Sequence, residues 1–479
     1  MGGAVWYNDS FCRPGVSGLV TQHAGALVKY PARISLAWYA MVILIGGVLL
    51  NRSFSRQPSA EPISFVDALF TSTSACCVTG LSVRSTGSHF SFTGQAIILA
   101  LIQLGGIGII TVTTFAMVQL GNRASLRQRT VIVETLGVPD HADLRSILGH
   151  VILATALFEG CGAVLLTLRF LTAYDMDLAT ALWHGVFHAI SAFCNAGFGL
   201  FDDNLMRYQG DAAVNLVICT LIIVGGIGYP VILDVYRQTG RDGHGPWQRL
   251  HLHSKIMLLG TALLLAISVA GFLFLESGNV LHDMPWWKRG LASFFHAVTC
   301  RTAGFNTVDV GALTDATLFL SIILMAIGAG PCSTAGGFKV STLSVLLLSA
   351  WSRFRGAGRI NVFRRTIPQE LASRATALIM VFGTVIICIL TAMLVIERQG
   401  VLQHDSNRRF LDLLFEVVSA LGTVGLSTGI TPVLSDAGKL VISLAMFIGR
   451  LGPISLFVAV SLVERRQTLE FVNEEPLLG

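Results

Sequence analysis

Apolar residues in this chain form long uninterrupted runs, without the regular polar positions that mark the solvent-facing side of a soluble helix or strand. A helix needs about 20 apolar residues to cross a bilayer. Eight runs meet or approach that length, the sixth being interrupted by glycine and proline: 34–50, 92–120, 147–171, 214–233, 256–275, 318–348, 376–396 and 440–462. The pattern predicts an all-α polytopic membrane protein.

Composition supports this class. Of 479 residues, 53% are hydrophobic and 13% are charged, against roughly 25% charged residues in a soluble domain. The segments between runs are too short for a soluble catalytic domain, and no cluster of His, Asp and Glu marks a membrane enzyme. Nine cysteines without a CxxC pair indicate neither a disulfide framework nor a metal site. We expect no enzyme, no organic cofactor and no nucleic-acid partner.

The distribution of basic residues predicts the orientation. If the N-terminus is cytoplasmic, 19 of the 33 lysines and arginines fall on the cytoplasmic side, as the positive-inside rule requires. Both termini are then cytoplasmic. The first thirty residues have no compact apolar core of a removable signal peptide, so the first run is expected to stay in the membrane.

A fourfold repeat lies between successive pairs of runs: "FVDALFTSTSACCVTGLSV", "LWHGVFHAISAFCNAGFGL", "GLASFFHAVTCRTAGFNTV" and "FLDLLFEVVSALGTVGLST". In each copy a Phe precedes a Ser or Thr by four residues, on one helical face. The pairs are Phe70 and Ser74, Phe187 and Ser191, Phe295 and Thr299, and Phe415 and Ser419. A glycine follows six residues later in three copies and five later in the third, which leaves the path of the third loop open.

These short segments are predicted to be re-entrant. A helix of about a dozen residues is about 18 Å long, roughly half of a hydrocarbon core of about 30 Å. Non-helical backbone at that depth is tolerated only where it is buried in protein or lines a water-filled cavity. A second glycine signature recurs in the following runs, as "LGGIGII", "VGGIGYP", "IGAGPCS" and "IGRLGPI".

The repeats predict four tandem span–pore-loop–span units forming a pseudo-fourfold pore. All four units begin on the same side, whereas a secondary transporter with inverted repeats would show halves of opposite orientation. The predicted domains are an N-terminal tail (1–33), repeat one (34–120), a loop (121–146), repeat two (147–237), a loop (238–255), repeat three (256–350), a loop (351–375), repeat four (376–464) and a C-terminal tail (465–479).

The loop residues suggest an ion site made of backbone carbonyls. Glycine reaches positive φ at little steric cost and can turn successive carbonyls toward an axis. No carboxylate stands at the predicted filter positions, which disfavours a divalent cation or a proton relay and favours potassium. These positions are Val78, Thr79, Gly80, Asn195, Ala196, Gly197, Thr302, Ala303, Gly304, Thr423, Val424 and Gly425.

Six phrases spread from about residue 34 to 464 carry a family resemblance: "DALFTSTSACCVTGLSV", "GQAIILALIQLGGIGIIT", "FHAISAFCNAGFG", "FHAVTCRTAGFNT", "GPCSTAGGFKVST" and "FIGRLGPISLF". Together they resemble the Trk/Ktr/HKT superfamily of cation transporters and, within it, the bacterial KtrB-type subunit. The short N-terminal segment is similar to that subunit rather than to TrkH, whose members carry two further helices.

The resemblance implies a potassium-translocating homodimer in a bacterial plasma or inner membrane, in contact with membrane lipid. It also implies uptake coupled to sodium and gating by a cytosolic nucleotide-binding ring of an RCK-type, KtrA-like subunit. The alternative is a sodium-conducting member. Sodium-favouring plant relatives have Ser at the first filter glycine, whereas Gly80 is intact here. The apolar residues of the tail "FVNEEPLLG" are expected to serve assembly or contact with the ring.

The resemblance places a gate beneath the filter. In the sixth run "GAGPCSTAGGFK" cannot sustain a helix, and the segment 328–337 matches the family's intramembrane loop. Arg450 lies mid-span and is expected to face the pore, with an ion pair to Glu416 or Glu159 as the alternative. Lys339 either faces the cavity or snorkels to the cytoplasm. The gating candidates are Gly328, Gly330, Pro331, Ser333, Thr334, Gly336, Gly337, Lys339 and Arg450.

Two further polar features stay open. His184 and His188 are four residues apart but have no third ligand at a suitable spacing, so packing or hydrogen bonding is expected rather than zinc binding. Glu159 lies within the third run and is either a buried partner of another group or a coupling site.

Overall fold

The computed structural model describes residues 31–120, 144–238, 246–399 and 408–452, which are mostly helical. In these ranges the helices longer than one turn are, in chain order, α1 (Pro31–Leu50), α2 (Phe65–Cys76), α3 (Phe92–Leu120), α4 (Leu144–Tyr174), α5 (Leu178–Phe193), α6 (Ala212–Ile227), α7 (Tyr229–Gln238), α8 (Leu252–Glu276), α9 (Trp286–Thr299), α10 (Asp315–Ala326), α11 (Val340–Phe354), α12 (Gln369–Ile396), α13 (Arg409–Gly422) and α14 (Asp436–Leu451).

Shorter elements connect these helices. They are two single-turn helices (Thr86–His89 and Pro246–Arg249), four 3₁₀ turns (Ser53–Ser55, Met206–Tyr208, Glu397–Gln399 and Thr431–Val433) and two strands, β1 (Ile360–Val362) and β2 (Arg365–Ile367). The predicted tails, most of the loop 121–146 and the end of the last run lie outside the described residues.

Each predicted apolar run coincides with a helix or a helix pair, the last one as far as it is described. Three stretches of the described chain are individually long and apolar enough to cross a membrane: Gly149–Tyr174, Leu252–Glu276 and Gln369–Ile396. The sixth run is broken, as predicted, between the end of α10 at Ala326 and the start of α11 at Val340.

The apolar run 214–233 does not form one continuous helix but the bent pair α6 and α7. The axes of α6 and α7 differ by 96°. The bend lies at Gly228, whose φ of +96° is readily adopted only by glycine, and Pro230 follows it. The fourth run therefore changes direction within "VGGIGYP", its own copy of the second glycine signature.

The chain is not wholly helical, which corrects the all-α prediction for the loop 351–375. Strands β1 and β2 form an antiparallel hairpin with Ile360 opposite Ile367 and Val362 opposite Arg365. The two isoleucines are buried in a cluster with Ile256 of α8. Strands of three residues are too short for the sequence to show a period of two.

The four short helices predicted to be re-entrant, α2, α5, α9 and α13, have 12 to 16 residues each and end at the four glycine loops. In every repeat the second span packs against the re-entrant helix of the next repeat: α3 against α5, α6 against α9, α10 against α13, and α14 against α2. Because the last contact returns to the first repeat, the four units close into a ring.

A buried ion pair lies at the point of closure. The Lys439 ammonium at the start of α14 is 2.7 Å from Asp67 Oδ1 in α2, and both side chains are less than a tenth exposed. The Asp67 carboxylate follows the helix cap made by Ser64, whose hydroxyl accepts the Asp67 backbone N–H at 3.0 Å. The pair joins the fourth repeat to the first.

We predict that Lys439→Met lowers the unfolding temperature of the detergent-solubilised protein, because it leaves the Asp67 charge buried without its partner. Breaking a buried pair on one side costs about 3–5 kcal/mol. The double variant Asp67→Asn/Lys439→Met should recover most of the loss, and Arg398→Met, at an exposed position, should change little. An unfolding temperature equal to that of the Arg398 variant would contradict a role in closure.

Candidate functional site

The loops after the four re-entrant helices share one backbone conformation. In each, the residue two places before the glycine has φ between +49° and +66°, and the glycine has φ between +71° and +99°. The pairs are Val78 and Gly80, Asn195 and Gly197, Thr302 and Gly304, and Thr423 and Gly425. The third loop, although one residue shorter, has the same pair of positive φ values.

The four glycines lie against one another around a closed circuit. A Cβ atom would lie 2.5 Å from Ala196 O if added to Gly80, 2.8 Å from Ala303 O if added to Gly197, 2.6 Å from Val424 O if added to Gly304, and 1.9 Å from Thr79 O if added to Gly425. Each contact runs from one repeat to the next, and the last returns to the first. Only glycine fits these four points.

The predicted filter residues are therefore brought together, and the eight that precede the glycines are at most 1% exposed. Three of their hydroxyl oxygens, Thr79 Oγ1, Thr302 Oγ1 and Thr423 Oγ1, are buried and have no hydrogen-bond partner among the described residues. Buried polar atoms are normally paired, so these three oxygens keep an unused capacity for a hydrogen bond.

The Ser or Thr of each re-entrant helix holds its own loop. Ser74 Oγ and Ser419 Oγ each accept a backbone N–H, from Gly80 and Gly425 respectively, at 3.1 Å. In the other two repeats the hydroxyl instead donates to a backbone carbonyl, from Ser191 to Phe198 at 2.7 Å and from Thr299 to Phe305 at 2.6 Å. The Ser or Thr that follows each Phe by four residues thus holds the filter loop of its repeat through its hydroxyl group.

An acidic vestibule covers one side of the ring. It is a cavity of about 280 Å³ lined by the four glycines and by three carboxylates, Asp202, Asp203 and Asp309. The hydroxyls of Ser85 and Ser88 donate to Asp202 and hold its pKa below the usual range. Asp202 and Asp309 each stand five residues after a filter glycine, so this carboxylate recurs in two of the four repeats.

The loop between α10 and α11, which we call the intramembrane loop (327–339), crosses the other side of the ring. The Gly330 N–H donates to Gly226 O at 2.8 Å at the end of α6, and the Tyr229 N–H donates to Cys332 O at 3.2 Å. At its far end, a Cβ on Gly336 would lie 2.2 Å from Thr423 Oγ1 of the fourth filter loop.

Further contacts hold this loop in place. Thr334 Oγ1 donates to Phe193 O at 3.3 Å, next to the second filter loop. The ends of the loop are tied together by the Gly328 N–H, which donates to Phe338 O at 2.9 Å. Lys339 turns back over the loop, with its ammonium 2.6 Å from Ala335 O. The predicted gating residues between 328 and 339 therefore form one ordered segment against the filter loops.

Arg450 of α14 joins the intramembrane loop to α3, the second span of repeat one. Its buried guanidinium donates to the carbonyls of Thr334, Gly105 and Gly106. Among the described residues it makes no ion pair with Glu159 or Glu416. The alternative of a salt bridge to either carboxylate is therefore wrong, and the partners of the arginine are backbone oxygens.

Both of these carboxylates are bound to neutral groups instead. Glu159 accepts the amide of Gln103 at 3.1 Å and lies 3.8 Å from the Cys194 sulfur. Glu416 accepts the hydroxyls of Ser427 and Thr431. The first alternative for Glu159, a buried partner of another group, matches this geometry.

The histidines pack and hydrogen-bond, as expected. His188 Nδ1 lies 2.8 Å from His184 O, and its Nε2 accepts the Leu200 N–H at 3.3 Å. No group of three potential metal ligands occurs among the described residues. Arg301 in the third filter loop is 7% exposed, a buried cation that the sequence pattern did not single out.

A ring of re-entrant loops between membrane helices, with an acidic vestibule on one side and a fixed loop on the other, defines a polytopic membrane transport protein. The family model described as "TrkH: Cation transport protein" matches residues 31–469. The chain therefore belongs to the TrkH family of cation transport proteins, which agrees with the predicted superfamily and with the prediction that it is not an enzyme.

Several relatives are similar over nearly the whole chain. Ktr system potassium uptake protein B of Bacillus subtilis is 38% identical over 91% of this chain and 94% of the relative, and the protein of that name from Vibrio alginolyticus is 37% identical over 88% and 90%. Potassium/sodium uptake protein NtpJ of Enterococcus hirae is 35% identical over 94% and 97%.

One solved structure, that of the potassium transporter TrkH from Vibrio parahaemolyticus, has the same fold. It superposes with a TM-score of 0.70 over 89% of this chain and 84% of the other, at 18% identity. At that identity the likeness concerns the fold alone.

We predict that Gly336→Ala destabilises the contact between the intramembrane loop and the fourth filter loop. The new Cβ would overlap Thr423 Oγ1 and lie 2.8 Å from Gly422 O, an overpacking that costs about 1–3 kcal/mol. The unfolding temperature in detergent should fall, and Gly336→Ala/Thr423→Ala should recover part of the fall. Gly358→Ala, with no atom within 4 Å of the new Cβ, is the control; equal effects at both glycines would contradict the contact.

Proposed function

We propose that this protein takes up potassium across the cell membrane through the ring formed by the four glycine loops. The observation that carries the proposal is the closed circuit of glycine–carbonyl contacts, because backbone oxygens from all four repeats lie next to the glycines of the neighbouring loops in it. The printed names of the relatives from Bacillus subtilis and Vibrio alginolyticus, both potassium uptake proteins, support the choice of ion.

The ring chemistry favours a weakly hydrated monovalent cation. A selectivity filter must replace the hydration shell with oxygens that bind without trapping the ion. The twelve filter residues supply backbone carbonyls and three unpaired threonine hydroxyls, and none carries the carboxylate that a calcium or magnesium site needs. The carboxylates of the acidic vestibule lie before the ring and raise the local cation concentration.

The same proposal assigns gating to the intramembrane loop and Arg450. The loop reaches from the end of α6 to Thr423, and the guanidinium of Arg450 binds carbonyls on the loop and on α3. A segment held by hydrogen bonds at both ends restricts the passage of ions until those bonds are broken and replaced by others. Backbone at this depth is stable only against protein or in a water-filled cavity, which supports a position in the pathway.

Partners and coupling follow from the relatives. "Ktr system" in their names supports a second, cytosolic component, which we propose to be an RCK-type nucleotide-binding ring. We propose further a homodimer in a bacterial plasma or inner membrane, with both termini cytoplasmic and with sodium as the coupling ion. The tail expected to contribute to assembly lies outside the described residues.

Complementation tests the function. The gene should restore growth of a potassium-uptake-deficient bacterium on low-potassium medium when sodium and a cognate regulatory subunit are supplied. Sodium conduction is the second candidate, because the Enterococcus hirae relative is named a potassium/sodium uptake protein. Uptake of labelled sodium that is unaffected by excess potassium, together with failure to restore growth, would replace the potassium assignment.

We predict that Ser at each filter glycine weakens potassium uptake and narrows the preference over sodium, since a Cβ at positive φ strains the loop by about 1–3 kcal/mol and displaces a carbonyl. A change of 1.4 kcal/mol alters an affinity about tenfold. The contact distances rank Gly425 (1.9 Å) as most sensitive and Gly197 (2.8 Å) as least, with Gly80 and Gly304 between them.

Potassium uptake with sodium as competitor, corrected for membrane abundance, measures this effect. Gly278→Ser is the matched control because the new Cβ would have no atom within 4 Å. Four well-expressed filter variants with the affinity and selectivity of this control would mean that the ion passes elsewhere.

We predict that Arg450→Gln raises the maximal uptake velocity and leaves the apparent potassium affinity nearly constant. The shorter amide cannot hold Thr334 O together with Gly105 O and Gly106 O, so the loop is released while the filter is unchanged. Shortening the segment 328–337 should act in the same direction. Uptake kinetics over a range of potassium concentrations separate the two parameters, and a large loss of affinity without a gain in velocity would assign a structural role to the arginine.

A further inference from the structure

The hairpin between α11 and α12 carries a concentrated positive charge. Five arginines lie within 13 residues, and we call them the basic patch: Arg353, Arg355, Arg359, Arg364 and Arg365. All five are exposed, and none makes an ion pair with a described residue. Glu370 is the one acidic residue in the segment 351–375, so among the described residues the five arginines have no matching anions.

The hairpin that carries the patch is held in place by an apolar cluster. Ile360 and Ile367 of the hairpin are buried with Ile256 of α8 and Ala372 of α12. α11 and α12 enter the hairpin directly from two adjacent apolar runs. The hairpin therefore presents the arginines from a fixed position next to two apolar runs.

The tip of the hairpin is a strained turn. Val362 and Arg365 pair, and the two residues between them, Phe363 and Arg364, have φ of +49° and +61°. Positive φ at both central positions defines a type I′ turn, for which Asn-Gly is preferred. Bulky residues in this conformation are unusual, and observed strain of this kind points to a function for the side chains it presents.

Aromatic side chains accompany the charges at the end of α11. Trp351 and Phe354 are 58% and 88% exposed, and the Arg355 guanidinium stacks on the Trp351 ring at 4.8 Å. At the tip Phe363 is 44% exposed. Aromatic rings flanking a membrane span are characteristic of the headgroup level of a bilayer.

We propose that the basic patch binds the phosphate headgroups of anionic phospholipids in the cytoplasmic leaflet. The proposal goes beyond ion conduction and rests on the cytoplasmic orientation given under Proposed function. Guanidinium groups recognise phosphate with two parallel hydrogen bonds, and clusters of basic residues next to a span attract anionic lipid. The exposed aromatics and the tethering by two spans favour lipid over a soluble protein partner.

Lipid binding by the full-length protein in neutral detergent tests the proposal directly. The probe is a short-chain phosphatidylglycerol, with short-chain phosphatidylcholine as the uncharged reference and inorganic phosphate as the arm without acyl chains. The variant Arg359→Gln/Arg364→Gln/Arg365→Gln should bind phosphatidylglycerol on the order of a hundredfold more weakly. Its affinity for phosphatidylcholine should stay unchanged.

Two further variants guard against unrelated effects. Arg52→Gln/Arg56→Gln/Arg84→Gln removes three charges from segments predicted to be extracellular and should keep the phosphatidylglycerol affinity. Phe363→Asn/Arg364→Gly replaces the tip by the preferred type I′ pair, so the hairpin should fold at least as well while losing affinity.

Unchanged phosphatidylglycerol affinity in the hairpin triple variant would overturn the proposal. An equal loss of phosphatidylglycerol affinity in the extracellular control variant would also overturn it. So would a hairpin triple variant that keeps its lipid affinity but no longer binds a soluble regulatory subunit. Equal binding of inorganic phosphate and phosphatidylglycerol would likewise assign the patch to free anions. Because the readout is binding, failure of potassium uptake leaves this test intact.

Discussion

The contact of each filter glycine with a carbonyl oxygen of the neighbouring loop is the constraint on which the rest of the structure depends. Four loops of one chain can meet around a point only if no side chain begins there, and the distances of 1.9 to 2.8 Å to a Cβ leave no room for one. The spans satisfy this constraint by holding the four loops next to one another. Each second span packs against the next re-entrant helix, and the Asp67–Lys439 pair closes the circuit.

The sequence predicted this arrangement because its requirements are local and repeated four times. The Phe, the Ser or Thr and the glycine recur at fixed spacing, so a physical need at one loop could be checked against three others. The break of the sixth run was equally visible, since glycine and proline disfavour a helix wherever they stand. The third loop shows that one missing residue can be absorbed while Thr302 and Gly304 keep their positive φ values.

Features that depend on a single distant partner could not be predicted. The bend at Gly228 is opposite Pro331 O, which lies 2.4 Å from the position of a Cβ on that glycine, and neither residue alone marks the contact. Arg450 was expected to face the pore, with an ion pair to a carboxylate as the alternative, and its hydrogen-bond partners are backbone carbonyls instead of a carboxylate. Every residue carries such an oxygen, so no sequence pattern distinguishes Thr334 or Gly105 as partners.

Acidic side chains lie on one side of the ring and basic side chains on the other, and this charge asymmetry affects both the filter and the intramembrane loop. Asp202, Asp203 and Asp309 line the vestibule, whereas Arg450 and Lys339 lie on the opposite side. Both of these cations donate to loop carbonyls, at Thr334 and Ala335. Those oxygens face a fixed positive charge and so attract a passing cation less than free carbonyls would. In the proposed pathway, release of the loop therefore both widens the passage and returns carbonyl oxygens to the ion.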